Sequence, residues 1–317
     1  MTSAVRNSVL GLQLSYNMLS SRRSDPGRPP GLRRYTRIMA FRLLTLIILC
    51  SAAMSQNRDI QRAMRERVQQ EASKFAQAAP QLQTTETLEQ TRLDEKKAAH
   101  PHKPKDPWPP LIHRKVISRY GFVAIPGQSL QEVRQVISVD GKEAKQSVGS
   151  LNELILSLSA ADDAQRRRLL ETFEKHGLRG VATDCSPMIL LFAPDSIQRF
   201  EFAFQRTDKI GETPSTVYKY YQIDGPGTAT IFAQGQAIHP KLEGELWVRT
   251  ADQLPMRVTM ASEHEEKGSK LHDVIAVDYG WANFGALLPV HVIHRQILGQ
   301  SLVVEDDYRY ENWETLK

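Results

Sequence analysis

Apolar positions follow a helical period near the start of the chain's main part. Between residues 57 and 80 they recur every three or four residues, with Arg, Glu and Gln between them, and Pro80 ends the pattern. The positions are Ile60, Met64, Val68, Ala72, Phe75 and Ala79. This spacing predicts an amphipathic helix of about 20 residues. Its mixed charges favour packing on a sheet over the alternative of a membrane-surface or partner helix.

Most of the remaining chain alternates apolar and polar residues with the period of two that is typical of strands. Residues 81–93, 115–125 and 130–138 predict three early strands, and turn signals separate the last two. Later strands are predicted at 200–204, 217–223, 228–232, 243–250, 255–262, 271–279, 288–297 and 301–310. Eight short strands at hairpin spacing indicate one continuous antiparallel sheet.

A helical period interrupts the strands between residues 151 and 192. Two helices are predicted over 151–176, the second beginning at a capping box and ending at Gly177, and a third buried helical turn is predicted at 186–192. The fold class is therefore α+β, an antiparallel sheet with a helical insert at about 151–192 and an N-terminal amphipathic helix.

Charge is distributed unevenly. The chain has a net charge of +5, but residues 1–55 hold eight arginines against the single acid Asp25, a net +7, which leaves −2 for residues 56–317. The basic excess thus belongs to the N-terminal segment, and the rest of the chain has no electrostatic reason to bind nucleic acid.

The basic segment has the order of an export signal. Arg42 precedes a short apolar run that ends by Met54, and small residues follow, so we expect cleavage near Ala53 or Ser55 and a periplasmic or otherwise exported product. The run is shorter than the roughly 20 residues that span a bilayer. Met39 is the alternative true start of the chain. An Arg-rich mitochondrial transit peptide is the rival interpretation.

Cysteine usage and composition complete the domain picture. Cys50 follows Leu49 rather than a small residue, which disfavours lipid attachment there and leaves Cys185 as the mature protein's thiol. We expect three parts, which are a leader at 1–55, a helix, strand and Pro/Lys-rich linker at 56–110, and a β-rich domain at 111–317.

No residues assemble into a recognisable catalytic or metal site. His291 and His294 are three apart on a predicted strand and so point to opposite faces, and no zinc-protease or cysteine-cluster motif is present. Cys185 is interpreted as a small buried residue at a helix entrance. Residues 305–307, all acidic, are interpreted as a solvated edge. We therefore predict no enzyme, no cofactor and no metal.

One apolar face does accumulate on two neighbouring strands. Leu246 and Val248 alternate with Trp247, and a turn at 251–255 leads to a second alternating strand. The predicted ligand-binding face is Leu246, Val248, Met256, Val258 and Met260. These side chains would face either an apolar ligand or helices packed as core.

Residues 244–314 carry a family resemblance. The motifs are Gly244-Glu245-Leu246-Trp247-Val248, the turn 251–255, Met256-Arg257-Val258, Val277-Asp278-Tyr279, Gly285, Leu288-Pro289 and Tyr310-Glu311-Asn312-Trp313. They resemble the periplasmic lipoprotein-carrier superfamily, the LolA/LolB-like half-barrels, and especially uncharacterised exported bacterial proteins. The resemblance implies a curved antiparallel half-barrel with a helical lid and a concave apolar face. This chain departs from the carriers in its long N-terminal region, and no residue matches their ligand-locking arginine.

Two functions are expected in consequence. The first is a non-catalytic periplasmic carrier or binder of an apolar ligand such as an acyl chain, lipid or lipoprotein, with membrane contact only through the leader. The alternative is a protein-interaction or envelope-stress sensing module whose partner is an envelope protein. The first requires an apolar cavity inside the sheet, and the second requires a filled cavity with an exposed apolar patch outside it.

Overall fold

The structure is a computed structural model, and the residues it describes all belong to the unit Asn57–Lys317. They are 59–100, 109–124, 130–144, 174–179, 185–225, 231–233, 236–238, 241–266 and 268–316. The predicted leader and residues 151–173 of the predicted helical insert lie outside them. Within this part of the chain, no helix is long and apolar enough to cross a membrane.

Thirteen strands and two complete α-helices are described, together with the helical residues 174–175 and short 3₁₀ segments. The strands are β1 Leu82–Leu93, β2 Leu111–Val123, β3 Gln131–Val139, β4 Lys142–Glu143, β5 Phe200–Ile210, β6 Thr213–Gln222, β7 Ile231–Ala233, β8 Gln236–Ile238, β9 Glu243–Arg249, β10 Pro255–Glu266, β11 Ser269–Trp281, β12 Leu287–Leu298 and β13 Ser301–Thr315. The helices are α1, residues 59–78, and α2, Glu95–Ala98. The 3₁₀ segments are Ala79–Gln81, Ser186–Phe192 and Ile197–Arg199.

Eleven of these strands form one antiparallel sheet in the order β4-β3-β2-β1-β13-β12-β11-β10-β9-β6-β5, while β7 and β8 pair separately. The N-terminal strand β1 lies beside the C-terminal strand β13. The sheet is open, since β4 and β5 pair with one strand each among the described residues. Register shifts in six of its strand pairs mark bulges, which bend the strands that carry them. The predicted α+β class with an antiparallel sheet and an N-terminal helix is confirmed.

One row of directly paired residues crosses nine strands and defines the face of the sheet that we call the inner face. The row runs Val116, Leu88, Tyr308, Val292, Val277, Val258, Leu246, Tyr218 and Phe204. Because paired residues point to the same side, all nine share a face. All but Phe204 are almost fully buried.

Helix α1 lies on the inner face, as its sequence period predicts. Met64, Val68, Ala72 and Phe75 are fully buried and belong to the same core as the strand residues. The ring of Phe75 packs edge-on against Phe122 with centroids 5.3 Å apart. The 3₁₀ turn Ala79–Gln81, with Pro80 at its start, ends the helix just before β1.

The 3₁₀ segment Ser186–Phe192 also packs on the inner face, and it agrees with the buried helical turn predicted there. The Tyr279 hydroxyl accepts the Ile189 N–H at 2.8 Å and donates to the Ser186 carbonyl at 2.8 Å. Cys185 is buried at the beginning of the segment, as its sequence context predicts.

The observed strands extend beyond the predicted ones. Strand β5 is predicted at 200–204 but continues to Ile210, although its last residues are polar and largely exposed. Pairing with β6, including Arg206 with Val217 and Thr207 with Thr216, maintains the strand. Cross-strand hydrogen bonds do not need apolar alternation, so this ribbon leaves no signal in the hydrophobic pattern.

Candidate ligand-binding face

Four of the five predicted binding residues lie together on the inner face. Leu246 pairs directly with Val258, and Val248 follows Leu246 by two residues, as Met260 follows Val258. These four side chains are at most 9% exposed and belong to the core that includes α1. Met256 differs because it sits at a bulge, where Pro255 pairs with Val248 and Arg257 with Trp247. It is half-buried and has no directly paired partner on β9.

Glycine allows the close approach of β9 and β10 beside this face. A Cβ atom at Gly244 would lie 1.9 Å from the carbonyl oxygen of Thr259. That carbonyl accepts a hydrogen bond of 2.7 Å from the Tyr220 hydroxyl, and the hydroxyl also lies close to Gly244. The absence of a side chain at 244 therefore lets Tyr220 reach across β9 to β10.

Apolar contacts and two cation–ring contacts attach α1 to the sheet. Among the described residues, the side-chain hydrogen bonds of α1 stay within the helix, including those of the buried Glu71, which pairs with Lys74 at 2.9 Å and Arg67 at 3.3 Å. The cations of Arg65 and Lys74 lie over the rings of Phe202 and Trp281, at 4.9 and 5.6 Å. In the described part of the chain, α1 can thus leave the inner face without breaking a side-chain hydrogen bond to the sheet.

The 3₁₀ segment is held differently, by a buried ionic network on β1 and β3. The Nε atom of Arg134 donates to both carboxylate oxygens of Glu86 at 2.9 Å, and its Nη1 atom donates to Glu132 at 2.5 Å. Glu132 also accepts the backbone N–H of Ser186 at 2.8 Å. The Tyr120 hydroxyl contacts the Ser186 side chain, and its ring lies 4.9 Å from the Arg134 guanidinium.

Burial and pairing shift the pKa values of the network's groups. Burial raises the pKa of Glu86, and Arg134 only partly offsets that effect. Burial also acts on Glu132, but Arg134 and the Ser186 hydrogen bonds outweigh it and lower the pKa of Glu132. The two surrounding carboxylates hold the pKa of Arg134 well above its usual range despite its burial. The arrangement is a structural ion network whose groups have almost no contact with solvent.

A row of polar residues crosses the inner face beside the apolar row. It runs through directly paired His294, Asp306, Gln90 and Arg114. His294 is fully buried, with Nδ1 2.8 Å from Asp306 and Nε2 2.9 Å from Asp273. Desolvation lowers the pKa of His294, but the two carboxylates outweigh it and raise the pKa to about 10. The imidazole is therefore doubly protonated and bonded at both nitrogens around neutral pH.

Two expectations about these polar residues had different outcomes. His291 contacts Asp307 at 3.1 Å while His294 contacts Asp306, so the two histidines lie on opposite faces as expected. The interpretation of residues 305–307 as a solvated edge is wrong for Asp306, which is fully buried. Its strand position turns it inward, towards His294 on the adjacent strand. Among the described residues, no group of three or more His, Cys, Asp and Glu side chains is arranged to hold a metal ion.

A groove opens where α1 ends above the sheet. Its volume is about 340 Å³, within the range of roughly 300–1,000 Å³ common for ligand pockets. Its walls come from the last turn of α1, the start of β1, the β11–β12 turn and the end of β13, and are lined by Lys74, Gln77, Ala78, Gln81, Leu82, Phe284, Gly285 and Thr315. Phe284 remains 39% exposed, and Trp281 on the same hairpin is 57% exposed. The sequence pattern missed this groove because its lining residues are far apart along the chain.

The comparisons with known proteins concern the fold. The sequence matches no family model and no curated protein. Among solved structures, the chain is similar to a domain from Vibrio parahaemolyticus provisionally described as an outer membrane lipoprotein-sorting protein, with a TM-score of 0.38 and 10% identity over 79% of this chain and 91% of that one. It is also similar to a LolA superfamily protein from Nitrosomonas europaea, with a TM-score of 0.32 and 12% identity over 79% and 92%. A DUF1329 family protein from Desulfovibrio piger gives a TM-score of 0.35 and 8% identity over 78% and 91%.

Proposed function

We propose that the protein is a non-catalytic carrier or binder of an apolar ligand, an acyl chain, lipid or lipoprotein, held between α1 and the inner face. The observation that carries this proposal is the attachment of α1, which covers an apolar sheet face without a side-chain hydrogen bond to it in the described residues. The ligand would contact the predicted binding face and enter through the groove at the end of α1. The residues of that face are Leu246, Val248, Met256, Val258 and Met260.

The ligand must replace the helix contacts, because the inner face is already filled. Met64, Val68 and Phe75 each contribute about 1.5–3 kcal/mol through burial. A buried methylene contributes about 0.8 kcal/mol, so a chain of about 6 to 11 methylenes is needed to offset their exposure. Long acyl chains are therefore expected to bind, and chains of about four carbons are not.

Titration with fatty acids of increasing chain length tests the proposal. Displacement of an environment-sensitive apolar dye should begin near ten carbons and strengthen with each added methylene. The far-UV circular dichroism spectrum should retain its strand signal throughout, since only α1 moves. Absence of dye and fatty-acid binding at every chain length would refute a carrier role.

A matched pair of variants tests the groove as the entrance. Phe284 and Val290 are similarly exposed, at 39% and 41%, and both belong to the β11–β12 hairpin, but only Phe284 lines the groove. Phe284→Asp should weaken fatty-acid binding about tenfold or more, because it places a carboxylate in the path of an apolar chain. Val290→Asp should leave binding unchanged. Equal effects of the two variants would contradict the assignment.

Export is part of the proposal and rests on the leader. Residues 1–55 have the charge and apolar order of a signal sequence, and the mature protein would begin after Ala53 or Ser55. N-terminal sequencing of protein from a periplasmic fraction should give one of these two starts. An intact chain recovered from the cytosol would contradict export.

An envelope protein is the second candidate ligand, and one observation favours it. Phe204 ends the apolar row on β5, the last strand of the described sheet, and is 51% exposed. A terminal strand with a free edge can accept a strand from a partner. If a protein partner uses this edge, Phe204→Asp should abolish its binding and leave fatty-acid binding intact.

A further inference from the structure

Three arginines, Arg92, Arg114 and Arg179, are neighbours of Gln90, at the end of the inner face opposite the groove. Arg114 pairs directly with Gln90, and Arg92 lies two residues further along β1 on the same face. The Gln90 side chain donates to the Arg179 carbonyl at 2.9 Å and accepts the Arg179 N–H at 3.0 Å. The segment 174–179 is thereby fixed beside the two strand arginines.

The backbone of that segment also lies close to Arg114. A Cβ atom at Gly177 would be 3.1 Å from the Arg114 Nε atom, and the φ angle of Gly177 is +81°. Glycine therefore lets the segment turn directly against the guanidinium. Leu178, the next residue, is fully buried and anchors the segment in the core.

Few acidic side chains form ion pairs with these three guanidinium groups in the described part of the chain. Among the described residues, Arg114 forms an ion pair with Asp140 at 2.5 Å, while Arg92 and Arg179 form none. The Nε atoms of Arg92 and Arg114 are buried and have no hydrogen-bond partner within that same part of the chain. Asp94, which acts on Arg92 from a distance, already accepts the Lys97 N–H at 3.2 Å.

The mutual repulsion of the three cations is visible at Arg92. Burial lowers the pKa of Arg92, and the positive charge of Arg179 lowers it further. Asp94 opposes this more strongly than Arg114 adds to it, and Glu95 opposes it least. Like charges that lie close together with few acidic partners indicate a site that an anion would stabilise, through the exposed parts of the guanidinium groups rather than the buried Nε atoms.

We propose that Arg92, Arg114 and Arg179 bind a phosphate group, either free phosphate or the headgroup of a phospholipid. A phosphate has several acceptor oxygens and carries up to two negative charges, which suits several planar guanidinium donors converging from two strands and a loop. The site does not depend on the apolar ligand, because β1 separates it from the groove by about 33 Å, ten residues at 3.3 Å each.

Three arginine variants provide a matched test of this site. Arg92→Gln and Arg179→Gln each remove a cation that has no ion pair in the described residues, so the fold should be retained. Arg119→Gln is the control, because Arg119 lies on the same strand as Arg114 but is exposed on the opposite face. Calorimetric titration of the full protein with inorganic phosphate, at constant ionic strength set with chloride, measures the affinity.

Saturable phosphate binding is expected for the unmodified protein and for Arg119→Gln. In Arg92→Gln and Arg179→Gln it should weaken about tenfold or more, the size expected for one lost charge-assisted hydrogen bond. No phosphate binding by the folded protein, or equal weakening in all three variants, would overturn the site.

Short-chain lipids distinguish the two sources of phosphate. If the headgroup of a lipid is the ligand, dihexanoylphosphatidic acid should bind more tightly than inorganic phosphate, while dihexanoylglycerol should not compete for the arginine site. If free phosphate is the ligand, the two phosphate compounds should bind equally. Both results support the site. Binding of dihexanoylglycerol that is weakened by Arg92→Gln would overturn it.

Discussion

Removing Arg134 should cost far more stability than removing its whole ionic network. The Arg134 side chain is 2% exposed and lies between Glu86 and Glu132, which are 1% and 0% exposed. In Arg134→Met both carboxylates stay buried without their cation. Breaking a buried ion pair from one side costs about 3–5 kcal/mol, a large part of the roughly 5–15 kcal/mol that stabilises a typical domain.

Replacing the whole network tests the origin of that cost. In the variant Glu86→Gln, Arg134→Met and Glu132→Gln, the buried charges are gone and their volumes are nearly kept. Removing the two buried charges that have lost their cation should recover more than the new amide groups cost, so we expect the triple variant to be at least about 2 kcal/mol more stable than Arg134→Met alone. The amide oxygen that Glu132→Gln introduces can still accept the Ser186 N–H, which keeps the 3₁₀ segment in place.

Urea unfolding followed by circular dichroism measures both variants against the unmodified protein. A lower midpoint with an unchanged slope in Arg134→Met would show lost stability rather than a changed denatured state. The reasoning would be refuted if the triple variant were as unstable as Arg134→Met, since the cost would then come from lost packing of the side chain. It would also be refuted if Arg134→Met unfolded at the same urea concentration as the unmodified protein.

Three further predictions concern other parts of the inner face. Because the pKa of His294 is raised from 6.5 to about 10, its contribution to stability is complete below pH 6.5 and is lost as pH rises towards 10, by up to about 1.4 kcal/mol per pH unit. Urea midpoints measured across this pH range should show the loss. In His294→Gln the midpoint should depend less on pH. Gly244→Ala should lower the unfolding free energy by about 1–3 kcal/mol, because its Cβ would meet a backbone carbonyl, whereas Gly280→Ala meets only the movable Val290 side chain and should cost less in the same thermal melts. Hydrogen exchange should be faster in α1 than in β1 and β13, and equal protection in all three would contradict the attachment of α1 by apolar and cation–ring contacts without side-chain hydrogen bonds to the sheet.

The local part of the fold could be predicted from apolar periodicity, and the buried polar part could not. The turn at 251–255 and the alternation on either side of it predict the pairing of β9 with β10, which the structure shows. The bulge at Met256 is not visible in that alternation, because an extra residue shifts the face without changing the composition.

Apolar periodicity does not identify polar residues whose side chains point into the core. Glu86 and Gln90 occupy inward positions of β1, but they look like exposed residues until their partners on other strands are known. Asp306 is the clearest example, since its partner His294 becomes its neighbour only through the register of β12 with β13. Register over such distances is set by the whole sheet, so a local pattern cannot reveal it.

Two segments cover the inner face, the 3₁₀ segment and helix α1, and they are attached to it by different kinds of contact. This difference bears on function. The segment Ser186–Phe192 is fixed by its hydrogen bonds to Tyr279 and Glu132, since Glu132 accepts the Ser186 N–H and Tyr279 accepts one bond and donates another; the two residues lie on opposite halves of the sheet. Displacing it would leave buried polar groups unpaired, at about 1–3 kcal/mol for each neutral group and more for the carboxylate. Helix α1 leaves no such groups behind in the described residues, because Glu71 keeps Lys74 and its other partner on the helix itself. A ligand that supplies only apolar area can therefore replace α1 but not the 3₁₀ segment. This asymmetry favours a binding site under α1, whose ring contacts in the described residues reach β2, β5 and β11.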